Sequence, residues 1–356
     1  MEDRGILNWL RETDEERLEP LWFRADAVRR ESVGDDVHLR GLVEISNFCV
    51  RQCAYCGIRA GNASLSRYRM TRDEILDCAR QAVQFGYGTV VLQSGEDYGI
   101  RAEWMADLIR RIKAETPLAV TLSLGERPDD DLAAWRDAGA DRYLLRFETS
   151  NRALYDRVHP PLAGRRSDRI AALGRLRDLG YETGGGVMIG LPGQTYGDLA
   201  DDIAVFRALD LDMIGLGPFI PHPATPLGQQ SEIGNRKSGI PDQVPNSELM
   251  TYKVLALTRL ACPRANIPST TALATLNRES GRELGLSRGA NVVMPNLTPP
   301  AYRACYEIYP AKACLCETPD AYHRRLRRSI LAMGRQVGTG RGDARRPSAL
   351  AALPRE

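Results

Sequence analysis

The sequence predicts an α/β protein, a (β/α)8 TIM-type barrel with N-terminal helices ahead of it and a short C-terminal extension. Three observations carry that expectation. Short apolar runs without a polar face recur along the chain, a helix-patterned stretch follows nearly every one, and 356 residues suit one large barrel. Strands that are apolar on both sides belong to a parallel sheet covered on both faces. The expected division is a helical segment over 1–36, the barrel over 37–330 and a flexible tail over 331–356.

The elements follow in order. Leu18, Leu21, Trp22, Ala25 and Val28 recur at helical spacing in the leading segment. Val37, Leu39, Val43 and Ile45 then alternate with polar or small residues, which gives the first strand. Thr71-Arg-Asp-Glu74 has the capping-box pattern and opens a helix towards Phe85. Thr89–Gln93 is a short buried strand. A helix at Trp104–Lys113 precedes the strand Ala119–Leu124, and one at Leu132–Ala138 precedes Arg142–Phe147. Helices at Ala153–Val158 and Ile170–Leu179 precede Gly185–Ile189, and Leu199–Leu209 precedes Met213–Gly217. A polar insertion over Gln229–Ser247 leads to the helix Leu249–Leu260. Short strands at Ala265–Ile267 and Asn291–Met294 flank a helix at Arg282–Leu286. After Ile330 the chain turns rich in Gly and Arg and poor in aromatics, a composition that does not build a core.

Composition excludes several functions. Hydrophobic residues make up 43% and charged residues 26%, so a core is easily buried. With 48 basic and 46 acidic residues the net charge is +2, which leaves no nucleic-acid or membrane footprint. Met1–Arg17 lacks an apolar signal region. No run approaches the ~18 apolar residues of a membrane-spanning helix. The eight cysteines are unevenly spread, which reads as metal chemistry in a reducing compartment. A soluble, cytoplasmic, oxygen-sensitive protein is expected.

The chemistry centres on Cys49, Cys53 and Cys56, at spacing C-x3-C-x2-C on a loop after the first strand. Three thiolates this close cannot all pair as disulfides, but all can face one metal centre. No histidine lies nearby to complete a zinc site. A cubane offers four irons, so three protein ligands leave one iron open. The spacing, with Tyr55 before the last cysteine, resembles the 4Fe–4S loop of radical S-adenosylmethionine (SAM) enzymes. In that superfamily the amino and carboxylate groups of SAM chelate the open iron.

In a barrel, functional groups gather at the C-terminal ends of the strands. Ser94, Gly95, Glu96 and Asp97 follow the second strand, and Thr121 and Ser123 end the third. Arg146 and Glu148 end the fourth. Met188 lies on the fifth, followed by Gly190–Thr195, and Met213 lies on the sixth. Thr270 and Thr271 follow the seventh, while Met294 and Asn296 end the eighth. Singly, such residues are more often helix caps or core; their convergence on one rim favours a site. Ser94-Gly-Glu96 resembles the superfamily's Gly-Gly-Glu segment, whose backbone carbonyls receive the SAM ammonium. Glu148 suits the ribose hydroxyls, because a carboxylate can accept two hydrogen bonds there. Arg169 suits the SAM carboxylate as a bidentate clamp, against the reading of a solvated residue in the run Arg165–Arg169. Gly184–Gly186 and Gly190–Gly193 resemble the backbone flanking adenine.

Longer blocks narrow the resemblance. Leu92–Asp97, Val120–Glu126, Ala138–Arg146, Gly190–Thr195, Gly217–Pro223, Ile267–Thr271, Gly289–Asn296 and Tyr306–Pro310 resemble HydE, the radical-SAM maturase family of iron–iron hydrogenase. The match covers about residues 35–315, and biotin synthase and methylornithine synthase share the barrel and cluster loop but match these blocks less. The resemblance implies one 4Fe–4S cluster, SAM and a 5′-deoxyadenosyl radical that attacks a small organometallic iron complex carrying cysteine, carbon monoxide and cyanide. It implies Thr121, Ser123, Met213, Thr270, Thr271 and Tyr306 as residues facing the reaction, with Arg146 offering charge to an anionic complex or pairing with Glu148. The implied partners are that substrate or a small amino acid, an electron donor such as ferredoxin or flavodoxin, and other hydrogenase maturation proteins. The competing readings are a radical SAM enzyme acting on an amino acid and a non-catalytic iron–sulfur carrier. Two departures stand out. Phe147 replaces a His often present between the Arg and Glu of the fourth strand, which suggests an altered rim. Of the C-x7-C-x2-C of some relatives, Cys314 matches the first cysteine, but Tyr322 and Arg325 take the next two places. No second cluster is therefore expected at Cys305, Cys314 and Cys316, and Cys78 and Cys262 read as small core or surface thiols.

Overall fold

The computed structural model describes residues 3–233, 241–313 and 318–345. Two helices, Asp3–Arg11 and Glu15–Val33, precede the first strand. The strands are β1 (Asp36–Ser46), β2 (Thr89–Ser94), β3 (Ala119–Ser123), β4 (Arg142–Leu144), β5 (Glu182–Ile189), β6 (Met213–Pro218), β7 (Val292–Val293) and β8 (Gln336–Val337). The first six run in parallel in chain order, and β7 pairs with the far edge of β1. Closure between β6 and β7 falls to the segment around Ile267. Single parallel bridges join Met213 to Asn266 and Pro268 to Val292. The Ile214 amide donates to Asn266 O at 3.1 Å and the Ser269 amide to Val292 O at 2.9 Å. The expected strand Ala265–Ile267 is thus present as a barrel stave without a full ladder, because Pro268 has no N–H to continue one. The architecture is the expected (β/α)8 barrel.

Local chemistry sets the helix starts. Thr71 and Glu74 exchange both bonds of a capping box ahead of the helix Arg72–Gln84. The helix layer buries apolar residues such as Ile75, Leu76, Ala79, Met105, Leu108 and Ile109 against the outer faces of the strands. Phe147 belongs to this layer: it is buried, its ring lies 5.6 Å from that of Phe206, and it sits in the main apolar core. The expectation that Phe147 changes the rim is overturned, since alternation along a strand sends neighbours to opposite sides. The fourth strand also ends sooner than expected. Leu145 and Phe147 still donate to the Gly184 and Gly186 carbonyls, and Glu148, despite its φ of 62°, bridges Val187 in parallel, so the ladder is interrupted and not lost.

The chain after Ile330 departs most from expectation. Residues 331–345 are not a loose tail; the remainder, 346–356, lies outside the described residues. Gln336 and Val337 pair in parallel with Asp36 and Val37 at the start of β1. The chain then crosses the N-terminal mouth of the barrel. Arg40 Nη2 donates to Gly342 O at 2.9 Å, Thr89 Oγ1 to Arg341 O at 2.8 Å, and Arg142 binds both Arg341 O and the Asp343 carboxylate. A Cβ on Gly88 would stand 1.6 Å from Gly340 O, so the strap is laid directly on the strand ends. Low hydrophobicity does not reveal this segment's order, because it is held by buried arginines and not by apolar packing. Among the described residues, no helix is long and apolar enough to cross a membrane.

Candidate active site

The loop carrying Cys49, Cys53 and Cys56 leaves the C-terminal end of β1 and is tied to three neighbours. The Val50 amide donates to Glu96 O, the Ala54 amide to Val158 O and the Gly57 amide to Ile308 O, at 3.0, 2.8 and 3.0 Å. The loop after β2 comes so close that a Cβ on Gly95 would lie 2.2 Å from Phe48 O and 2.8 Å from Cys49 Cβ. Glycine is required there because the contact is with backbone. Beneath the loop lies a buried charged cluster. Arg51 lies 2.8 Å from Glu96 and 3.1 Å from Glu126, and Arg169 donates to Glu126 at 3.0 Å. Glu96 also accepts from Tyr98 Oη and from the Glu126 amide. The Glu96 side chain therefore fixes the loop, leaving backbone to face a ligand.

The three thiols are free of disulfides. Burial pushes all three up from the ordinary thiol value, Cys53 to about 12. The protein alone holds them as thiols, and a cationic metal centre is what makes such sulfurs thiolates. Among the described residues, no three His, Cys, Asp or Glu groups could hold a single metal ion. A cubane differs in that each thiolate ligates its own iron, so its ligands stand farther apart. The donor set fits a cluster.

The thiols open onto a cavity of about 320 Å³ inside the barrel. It is lined by Cys49, Cys53, Cys56, Tyr55, Ser94, Gly95, Glu96, Thr121, Ser123, Arg146, Glu148, Arg169, Met188, Met213, Thr270, Thr271 and Tyr306, among others. Residues from every part of the barrel thus converge on one space. Gly190 does not line it. Its φ is +81° and a Cβ there would lie 2.3 Å from Asn246 Cα, so it is a turn glycine packed against the end of the insertion.

Glu148 shows the clearest signs of a ligand position. It is buried, and its backbone is left-handed, a conformation that side chains seldom adopt without compensation. Tyr55 Oη stands 3.4 Å from its Oε1. Its Oε2 lies 3.1 Å from Arg146 Nη2, which donates to Val187 O at 2.7 Å, and it has no hydrogen-bond partner among the described residues. The ion pair considered from sequence therefore exists as a charge contact and leaves an acceptor for a hydroxyl. Thr121 Oγ1 is likewise buried, lines the cavity and has no hydrogen-bond partner among the described residues. Arg169 is not solvated: it donates to the Arg146 carbonyl at 2.8 Å and meets His159 Nε2 at 2.7 Å. Arg169 crowds that imidazole, and burial first and this charge second hold His159 down at about 2. Met213 sits at the floor, where Arg40 Nη1 reaches its sulfur at 3.0 Å. Thr270 caps the helix Thr271–Leu276, and Tyr306 Oη accepts from Gln93 at 3.2 Å.

Sequence reasoning missed Arg40, Glu44, Arg51, Glu126 and Lys312. Arg40 and Glu44 carried a signal, since both are charged residues at even spacing along the first strand and so point to the same face. Arg51, Glu126 and Lys312 gave none, because their partners lie far away in the chain.

Residues 43–205 match the Radical SAM superfamily model. The chain is 46% identical to the FeFe hydrogenase maturase subunit HydE of Thermotoga maritima over 92% of its own length and 89% of that protein's. It belongs to the HydE family of radical SAM enzymes. It is also 29% identical to a 3-methylornithine synthase of Methanosarcina acetivorans, over 78% of this chain and 75% of the relative. The crystal structure of methylornithine synthase (PylB) superposes with a TM-score of 0.79 at 24% identity, covering 95% of this chain and 94% of the other. That likeness shows the barrel. Membership in the HydE family makes the chain a radical SAM enzyme.

One buried acid supports the turn after Glu148. Asp202, on the helix Tyr196–Ala208, accepts from Ser150 N and Oγ at 2.6 Å through Oδ1. Its Oδ2 is buried without a hydrogen-bond partner among the described residues, and burial raises its pKa to about 7. The folded state thus favours the protonated acid. The stability this group contributes is full below the ordinary value of 3.8 and is lost as pH rises through about 7. Asp202→Asn keeps the Oδ1 acceptor and cannot ionise. Thermal unfolding between pH 5 and 8 is expected to show a smaller fall in Tm for the variant than for the parent, at up to about 1.4 kcal/mol per pH unit. Parallel curves would show that Asp202 stays ionised when folded.

Proposed function

We propose that this enzyme acts in building the diiron subcluster of iron–iron hydrogenase, on a small anionic iron complex that carries cysteine, carbon monoxide and cyanide. Cys49, Cys53 and Cys56 would hold a 4Fe–4S cluster, which with SAM bound would supply one-electron cleavage of SAM to a 5′-deoxyadenosyl radical. The chain's own residues do the rest. The carbonyls of the Ser94–Glu96 turn receive the SAM ammonium, Glu148 accepts from the ribose and Arg169 faces the SAM carboxylate. The walls exclude water, which protects a radical from side reactions. The electron comes from a small redox protein such as ferredoxin or flavodoxin. The cluster is single, held by the barrel cysteines.

The observation that carries the substrate reading is the charge of the lumen. Arg40, Arg51, Arg146, Arg169 and Lys312 outnumber Glu44, Glu96 and Glu148 among its lining residues. Apolar groups such as Leu42, Val91 and Met294 line the same space. A cationic, low-dielectric pocket favours a small anion with uncharged ligands and disfavours a cationic amino acid. The test is genetic. Deleting the gene is expected to abolish hydrogenase activity while the hydrogenase polypeptide still accumulates, and re-expression is expected to restore it. Undiminished hydrogenase activity in the deletion strain would overturn the proposal.

A further inference from the structure

The lumen contains a buried ammonium that none of the SAM contacts uses. Lys312 and Glu44 form an ion pair in which the side chains are 4% and 1% exposed, and both line the cavity. Glu44 stands on β1 and takes a second bond from Asn296 Nδ2 at 3.0 Å. Lys312 arrives from the far end of the chain, on the segment that follows Tyr306, and its Nζ lies 5.2 Å from the centre of the Tyr306 ring. That segment rests on the cysteine loop through Gly57, whose amide binds Ile308 O. An ammonium has three N–H donors. One goes to Glu44, and among the described residues no second oxygen or nitrogen receives either of the others. A buried charge with unmet donors is costly unless a further acceptor completes it. The side from which one can come is the cavity.

We propose that Lys312 anchors the carboxylate of an α-amino-acid portion of the substrate, while Glu44 takes an N–H from its amine. The proposal rests on the reading above, in which the substrate carries cysteine, and it deepens that reading by assigning the amino-acid end to the wall between β1 and the Tyr306–Lys312 segment. Arg146 is left to the other, anionic end. The pair is then a specificity device. A carboxylate completes the Lys312 donors, whereas a ligand without one leaves them unmet.

The test uses the anaerobically reconstituted holoprotein with SAM bound and two probes, L-cysteine and cysteamine, which differ by the carboxylate. Isothermal titration of the parent protein is expected to give at least about tenfold tighter binding of L-cysteine. Removing Lys312 alone would bury an unpaired Glu44, so the informative variant is Glu44→Gln with Lys312→Met, which leaves no unpaired charge. It is expected to bring the two probes to within about twofold, and Lys312→Arg is expected to retain a preference for L-cysteine. A merely structural pair would shift both probes alike and leave their ratio unchanged. Retention of the preference in the double variant overturns the proposal. So does a parent protein that cleaves SAM but does not distinguish the probes, and that result leaves the radical SAM assignment intact.

Discussion

Cys53→Ala is expected to lose its iron. Cys53 is the most buried of the three loop thiols, and the loop around it is fixed by the Ala54 amide on Val158 O and by Arg51 in its carboxylate cluster. The backbone cannot move another group into the vacated position, so two thiolates remain for a cubane that needs three from the protein. Cys49→Ala and Cys56→Ala are expected to behave alike. Reconstituted parent protein is expected to hold about four irons per chain, the content of one cubane, and each variant is expected to fall close to zero with its visible absorbance. Cys314 and Cys316 lie outside the described residues. Changing both to Ser is expected to leave the iron content unchanged. Twice that iron in the parent, lost in the double variant, would establish a second cluster and contradict the single-cluster proposal.

Glu148→Gln is expected to weaken SAM binding by roughly 10- to 100-fold, about 1.5–3 kcal/mol, with the iron content intact. The acceptor without a partner, Oε2, is where a ribose hydroxyl gains a charge-assisted bond, and an amide of the same shape cannot match it. The same change frees Arg146 from its charge contact at 3.1 Å. Equilibrium binding of SAM separates the two roles. Unchanged affinity would mean that Glu148 serves only to hold Arg146.

The barrel was legible because its signals are local. Apolar runs, a capping box at Thr71 and the three-cysteine spacing each lie within one short stretch, and the structure keeps their order. The rim followed from topology, since strand ends meet wherever the strands close. Long-range pairing was not legible. The strap over residues 336–345 looked loose because its partners, Arg40, Thr89 and Arg142, lie some 200 to 300 positions earlier in the chain. Lys312 and Glu44 are 268 positions apart, so neither reveals the other. Phe147 departs from expectation for another reason. Neighbours along a strand face opposite sides, so Arg146 and Glu148 line the cavity while Phe147 between them joins the outer core.

The central claim is that this barrel uses three thiolates and a lumen built for SAM to generate a radical. Anaerobic reduction of the reconstituted protein with SAM, followed by chromatography, measures it directly. The expected result is 5′-deoxyadenosine and methionine in equal amounts from the parent protein and none from Cys53→Ala. A fully reconstituted, SAM-bound parent that yields no 5′-deoxyadenosine under reduction would contradict the claim and favour an iron–sulfur carrier.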